Sequence, residues 1–190
     1  MPPPLPQELP AGIVQIRGNA KGGDWQRYAV YFAPGWAPAP EHWQQVGPDH
    51  PEQVDNGVLE NWNIAGLAPG QYSIRVVRFE NNGNVTESVS RVTIDNTPPQ
   101  IRLTQPQPGE VFRPPQDEWV DITADVQDDN SISKVEFFVN GELLGTKTVA
   151  PFSVKWTIRA GGRVEFYAVA YDGAGNRTES ERVAVGIGSQ

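Results

Sequence analysis

Asp95-Asn96-Thr97-Pro98-Pro99 stands near the middle of the 190-residue chain. The two prolines fix φ, remove two backbone donors and hold Thr97 extended. A central β-strand does not tolerate such a pair, so the stretch marks a boundary. The sequence on either side of it repeats. Gly-Asn-Val-Thr-Glu-Ser at 83–88 returns as Gly-Asn-Arg-Thr-Glu-Ser at 175–180, 92 residues further on. The same offset places Gly70 on Gly162, Val77 on Val169, Phe79 on Tyr171 and Glu80 on Asp172. A period near 90 residues is the size of one β-sandwich rather than of a short solenoid repeat. The chain therefore reads as a proline-rich linker over 1–11 and a first sandwich over 12–96. A stiff hinge at 97–99 follows, with Asn96 leading into it, and then a second sandwich over 100–187.

Alternation supports an all-β reading. Tyr28, Val30 and Phe32 alternate with Arg27, Ala29 and Tyr31, and Tyr72, Ile74 and Val76 alternate with Ser73, Arg75 and Val77. In the second half Val120, Ile122, Ala124 and Val126 form one inward set, and Val135, Phe137 and Val139 another. The latter run into Asn140-Gly141, a strong short-range hairpin signal. Trp62, Ile64 and Trp156 sit among alternating apolar residues and are expected in cores. Between Pro34 and Asp55 the first half is irregular, with a short strand expected over 43–46 and a tight turn at Gly47-Pro48. The 11-residue lead is expected to be a polyproline or unstructured spacer.

Composition narrows the function classes. The chain carries a net charge of −8 with no basic stripe, which argues against a nucleic-acid partner. It has no cysteine, and its two histidines are a thin supply for a zinc site. No apolar window is long enough for a membrane-spanning helix. Met1-Pro2-Pro3-Pro4 reads as an initiator on a piece of a longer protein rather than as a signal peptide.

The second half carries Val135-Glu136-Phe137-Phe138-Val139-Asn140-Gly141, then Leu144-Gly145, Pro151-Phe152 and Trp156. Ala168-Val169-Ala170-Tyr171-Asp172-Gly173-Ala174-Gly175-Asn176 follows. This pattern resembles the bacterial Ig-like domains of secreted and surface proteins. The first half looks like a companion module, from Gly12–Gly18 through Asn56-Gly57-Val58-Leu59 and Trp62 to the closing Val92–Pro99. The fold implied is two tandem antiparallel sandwiches of the Ig-like or fibronectin-III-like kind. The pair also resembles the C-terminal appendage of bifunctional penicillin-binding proteins. That resemblance implies an extracytoplasmic setting at the cell wall or surface of a bacterium, with envelope proteins or peptidoglycan as partners. The Lys-Thr-Gly signature of such enzymes is absent, and no enzyme activity is expected of this chain.

Two groups of residues are candidate sites. Trp25, Tyr31, Trp36 and Trp43 could form an aromatic patch for sugar stacking or protein contact; plugging the open end of the sandwich is the competing and preferred reading. Asp128, Asp129 and Asn130, with Asp172 and Asn176, could offer calcium oxygen ligands. Asx side chains that hydrogen-bond their own turns explain the same residues, and no cofactor is expected. Glu41, His42, Asp49, His50 and Glu52 lie close in sequence, but a proline-rich surface loop does not promise the defined cleft that acid–base catalysis needs.

Overall fold

The computed structural model describes residues 7–9 and 12–188. The chain divides into two compact units, Met1–Asn96 and Thr97–Gln190. The division falls at the hinge stretch, and residues 95–99 carry no secondary structure.

In unit 1 the strands are β1 (Gln7–Leu9), β2 (Ile13–Ala20), β3 (Trp25–Pro34), β4 (Gln44–His50), β5 (Val54–Asn63), β6 (Gly70–Glu80) and β7 (Val85–Ile94). They form a five-stranded sheet in the order β1-β7-β6-β3-β4 and a two-stranded sheet of β2 and β5. The inward residues of both sheets make one core, which includes Tyr28, Val30, Leu59, Trp62, Ile64, Ile74, Val92 and Ile94. Full burial of each large aliphatic or aromatic side chain stabilises by about 1.5–3 kcal/mol. Trp62 is 2% exposed, and its ring lies 5.1 Å from that of Phe32 and 6.2 Å from that of Tyr72.

Unit 2 contains β8 (Gln100–Gln105), β9 (Val111–Phe112), β10 (Trp119–Gln127), β11 (Ile132–Val139), β12 (Glu142–Lys147), β13 (Ser153–Thr157), β14 (Gly162–Asp172), β15 (Arg177–Glu179) and β16 (Val183–Ile187). One sheet runs β12-β11-β14-β16-β9, with β15 also on β14, and the other runs β13-β10-β8. Val120, Ile122, Val135, Phe137, Phe166, Ala168 and Val185 anchor the core between them. Trp156 is half-buried and meets Phe166 edge-on at 5.5 Å. Asn140 and Gly141 both take positive φ, 50° and 85°, in the turn between β11 and β12. That is the two-residue geometry whose twist matches the flanking strands.

The 92-residue repeat has a structural counterpart. β6 and β14 are each 11 residues long, offset by that same distance, and each opens on a glycine with positive φ, Gly70 at 142° and Gly162 at 127°. Each unit also ends its larger sheet with a short parallel pair, β1 on β7 and β9 on β16.

Two local expectations differ from the structure. Gln7–Leu9, inside the expected spacer, pair in parallel with Val92–Ile94. These three residues lie between the prolines at 6 and 10 and keep their own N–H groups, which suffices for a short edge strand. The rest of the lead lies outside the described residues. At Gly47-Pro48 the chain does not turn back, because β4 runs through both to His50. Pairing with β3 jumps from Val30↔Val46 to Tyr28↔His50, so the extra residues form a bulge. β4 is an edge strand of its sheet, where a missing proline donor breaks no ladder. Gly47 takes the positive φ of 67° that the bulge requires.

Candidate functional site

On the outer face of the larger unit 1 sheet, period-2 alternation brings Arg27, Ala29, Tyr31 and Ala33 of β3 beside Phe79, Val77, Arg75 and Ser73 of β6. Ala29, Ala33 and Ser73 are fully buried although they face away from the core. Rings and guanidinium groups pack on the same face. The Arg27 guanidinium carbon lies 3.6 Å from the Phe79 ring centre, and that of Arg75 lies 4.3 Å from Trp43 and 5.2 Å from Tyr31. Arg91 of β7 lies 5.5 Å from Trp36. Carboxylates then hold two of the arginines: Asp49 is 2.7 Å from Arg27 and Glu87 is 3.5 Å from Arg75. Each cation–π contact contributes about 0.5–2 kcal/mol, depending on its desolvation.

The four aromatic residues singled out in the sequence thus divide. Tyr31 and Trp43 meet through Arg75, while Trp36 packs on Arg91. Trp25 joins the core rim, 6.2 Å from Tyr28, and donates its indole N–H to the Pro51 carbonyl. All four are half-buried. The arginines were not read as part of this surface. Their signal was present as Arg27, Tyr31 and Arg75 on outward positions of alternating strands, but the register that joins them spans more than 40 residues of sequence.

On the other side of the sandwich β4 meets β5. His50 Nε2 lies 2.8 Å from Glu60 Oε2, and the Tyr28 ring stacks on His50 at 4.7 Å. The Tyr28 hydroxyl donates to the Leu59 carbonyl at 2.8 Å. Burial, and secondarily the nearby Glu60 charge, pushes the Tyr28 hydroxyl above its ordinary pKa. Of the charged residues clustered in sequence here, Glu41, His42, Asp49 and Glu52 are exposed, and Asp49 is held by Arg27 and by Gln45 Nε2 at 2.8 Å. Glu52 lines a shallow cleft with Tyr28, His50 and Glu60, and Glu41, His42 and Asp49 are not part of its lining.

In unit 2 the Asx residues close their own loops. Asp128 Oδ1 accepts from the backbone N–H of Asn130 at 2.9 Å and of Ser131 at 3.1 Å. Asp172 accepts from Asn176 N and from Asn176 Nδ2, each at 2.8 Å. Carboxylate oxygens of Asp128 and Asp172 lie within 4.8 Å of one another. Asp172 is buried and Asp128 half-buried, whereas Asp129 and Asn130 are exposed. Calcium takes six to eight oxygen ligands, of the kind that the Asp128 and Asp172 carboxylates offer. Asn96, Thr97, Pro98 and Pro99 lie between β7 and β8 without regular structure.

With this geometry in view, comparison with known proteins gives one family match. Residues 99–176 match the bacterial Ig domain family. No curated protein matches the chain. Among solved structures, the fibronectin(III)-like modules of Clostridium thermocellum CbhA are 24% identical, over 100% of this chain and 92% of that one, with a TM-score of 0.59. Murine CEACAM1b, at 12% identity, covers 96% of each chain with a TM-score of 0.48. At 24% identity the likeness to the CbhA modules is one of fold. The chain is a tandem pair of Ig-like, fibronectin-III-like β-sandwiches.

Proposed function

We propose that this chain is a non-catalytic spacer and docking module of a bacterial cell-envelope protein, acting outside the cytoplasm. The match of residues 99–176 to the bacterial Ig domain carries the reading. The finer reading is that the parent protein is a bifunctional peptidoglycan synthase and this pair its C-terminal tail. Envelope proteins or peptidoglycan would then be the partners. Exported to the periplasm behind a cleavable signal, the chain should accumulate folded and protease-resistant. Rapid degradation there, with a stable cytoplasmic form, would contradict the assignment.

A second reading, a carbohydrate-binding module, has one observation in its favour: Tyr31, Trp36 and Trp43 are all half-exposed on the outer side of one sheet or its flanking loop. Against it, arginines already occupy a face of each ring. Pull-down on insoluble peptidoglycan and common polysaccharides separates the two. Retention that Trp36→Ala and Trp43→Ala abolish supports sugar binding, and no retention on any matrix rejects it.

A further inference from the structure

The loop between β6 and β7 and the loop between β14 and β15 close in the same way. Glu80 N donates to Asn84 O at 3.0 Å, and 92 residues on Asp172 N donates to Asn176 O at 3.1 Å. Gly83 and Gly175 each take positive φ, 85° and 93°. Between these fixed points one side chain differs: Asn82 stands where unit 2 has Ala174. Ala174 is buried and Asn82 is exposed. The loop therefore closes without an amide at this position, and its backbone geometry does not account for Asn82.

Asn82 precedes a glycine, and an asparagine amide most readily reaches the next backbone nitrogen when that residue has no Cβ in the way. The chain holds three such steps, at 56–57, 82–83 and 140–141. At the second, Asn82 Oδ1 accepts from Asn84 N at 2.8 Å. This Asx turn folds the carboxamide over the Gly83 peptide and polarises its C=O for attack. Asn140 is committed elsewhere. Its Oδ1 accepts from Glu165 N at 2.9 Å and its own N–H donates to Glu165 O at 2.8 Å, which holds it on β14. Asn56 and Gly57 lie inside β5, with Gly57 opposite Gly18 of β2.

We propose that Asn82 is a self-modification site, converting to aspartate and isoaspartate through a cyclic imide with Gly83. The Gly83 N–H, which donates to Glu80 O at 3.0 Å, leaves that bond at the exposed tip and gives its proton to hydroxide. The nitrogen then bonds to Asn82 Cγ, the Cγ–Nδ2 bond breaks, and Nδ2 takes a proton from water and departs as ammonia. Water opens the imide at either carbonyl, leaving a carboxylate in the side chain or, in isoaspartate, a main chain one carbon longer. The new carboxylate stands beside Asp24, whose Oδ2 accepts from Asn82 N at 3.0 Å, and the Nδ2 donation to Glu80 Oε2 at 3.4 Å is lost. Conversion thereby loosens the loop from Asp24 and Trp25, to whose carbonyls Asn81 N and Nδ2 tie it at 3.2 and 2.7 Å. The inference concerns this loop and stands independently of the envelope setting.

The whole chain is incubated in mildly alkaline buffer, folded and in urea, and mapped by mass spectrometry that separates asparagine, aspartate and isoaspartate. In the folded chain Asn82 should convert about three- to tenfold faster than Asn56 and Asn140, the rate effect of one hydrogen bond. In urea, with the loop gone, the three rates should agree within about twofold. Asn82→Ala, which installs the residue that unit 2 carries here, should fold with its midpoint within about 2 °C of the parent and leave the loop unconverted. If that variant does not fold, Asn82→Gln, whose longer amide closes a larger ring slowly, takes its place. Asn82→Asp, the simpler product, should lower the unit 1 melting midpoint by about 2–8 °C. Folded-chain conversion led by Asn56 or Asn140, or an Asn82 that stays intact in the folded chain while it reacts in urea, would overturn the proposal. An Asn82→Asp midpoint equal to the parent's would overturn the loosening that it assigns to the product.

Discussion

Trp62→Ala tests whether unit 1 depends on its own core. Trp62 is 2% exposed and fills the space between Phe32 and Tyr72, with ring centres 5.1 and 6.2 Å away. Truncation removes the indole and leaves a cavity, at a cost of about 3–5 kcal/mol for a large aromatic. A domain of this size unfolds with about 5–15 kcal/mol in hand, so the variant should fold but marginally. At about 4–8 °C per kcal/mol, the unit 1 transition should fall by roughly 12–40 °C. The second core contains no residue of unit 1, so its transition should stay within about 2 °C, well under the shift that 1 kcal/mol produces. Differential scanning calorimetry on the whole chain resolves this as one endotherm splitting into two. Trp62→Phe, which keeps most of the volume, should recover the greater part of the loss. A unit 1 shift below about 5 °C, little more than 1 kcal/mol, or equal shifts of both transitions would refute the reasoning.

Gly141→Ala places a Cβ at φ 85° in the β11–β12 turn and should destabilise unit 2 by about 1–2 kcal/mol, read from denaturant midpoints. Tyr28, with its hydroxyl pKa raised, keeps its proton in the folded chain after the unfolded chain begins to lose it near about pH 10. Its contribution is therefore complete below that pH and is lost as pH rises toward the folded value; Tyr28→Phe should flatten the alkaline decline in stability. Thermal midpoints in excess chelator and in millimolar calcium should agree within about 2 °C, whereas a tight ion at Asp128 and Asp172 would stabilise by several kcal/mol and shift the midpoint by roughly 10 °C or more.

Much of the fold was legible because its signals are local. Val120 to Val126 alternate because one face of β10 is buried, and Asn140-Gly141 marks its hairpin because few other pairs accept positive φ twice. β1 and β9 were not legible. They are three and two residues long and pair in parallel with strands far away in sequence, so neither has a periodicity to read. β4 was obscured by Pro48, whose missing donor is harmless only because the strand lies at an edge, a fact of topology. The candidate surface was half legible. Its aromatic residues stood out by type, but the arginines that cover them come from β6 and β7 through the sheet register.

Residue-resolved hydrogen exchange on β2 and β10 tests most directly whether unit 1 is open where unit 2 is closed. In β10, Ala124 N donates to Phe152 O, so Asp125, the next residue, turns toward β8 and pairs with Arg102. Asp125 should be protected, while Arg17 and Asn19, on the edge of β2 that no described strand pairs, should exchange fast beside slow Ile16 and Gly18. Arg17 and Asn19 protected as strongly as Asp125 would mean that the edge is covered, and would contradict the account.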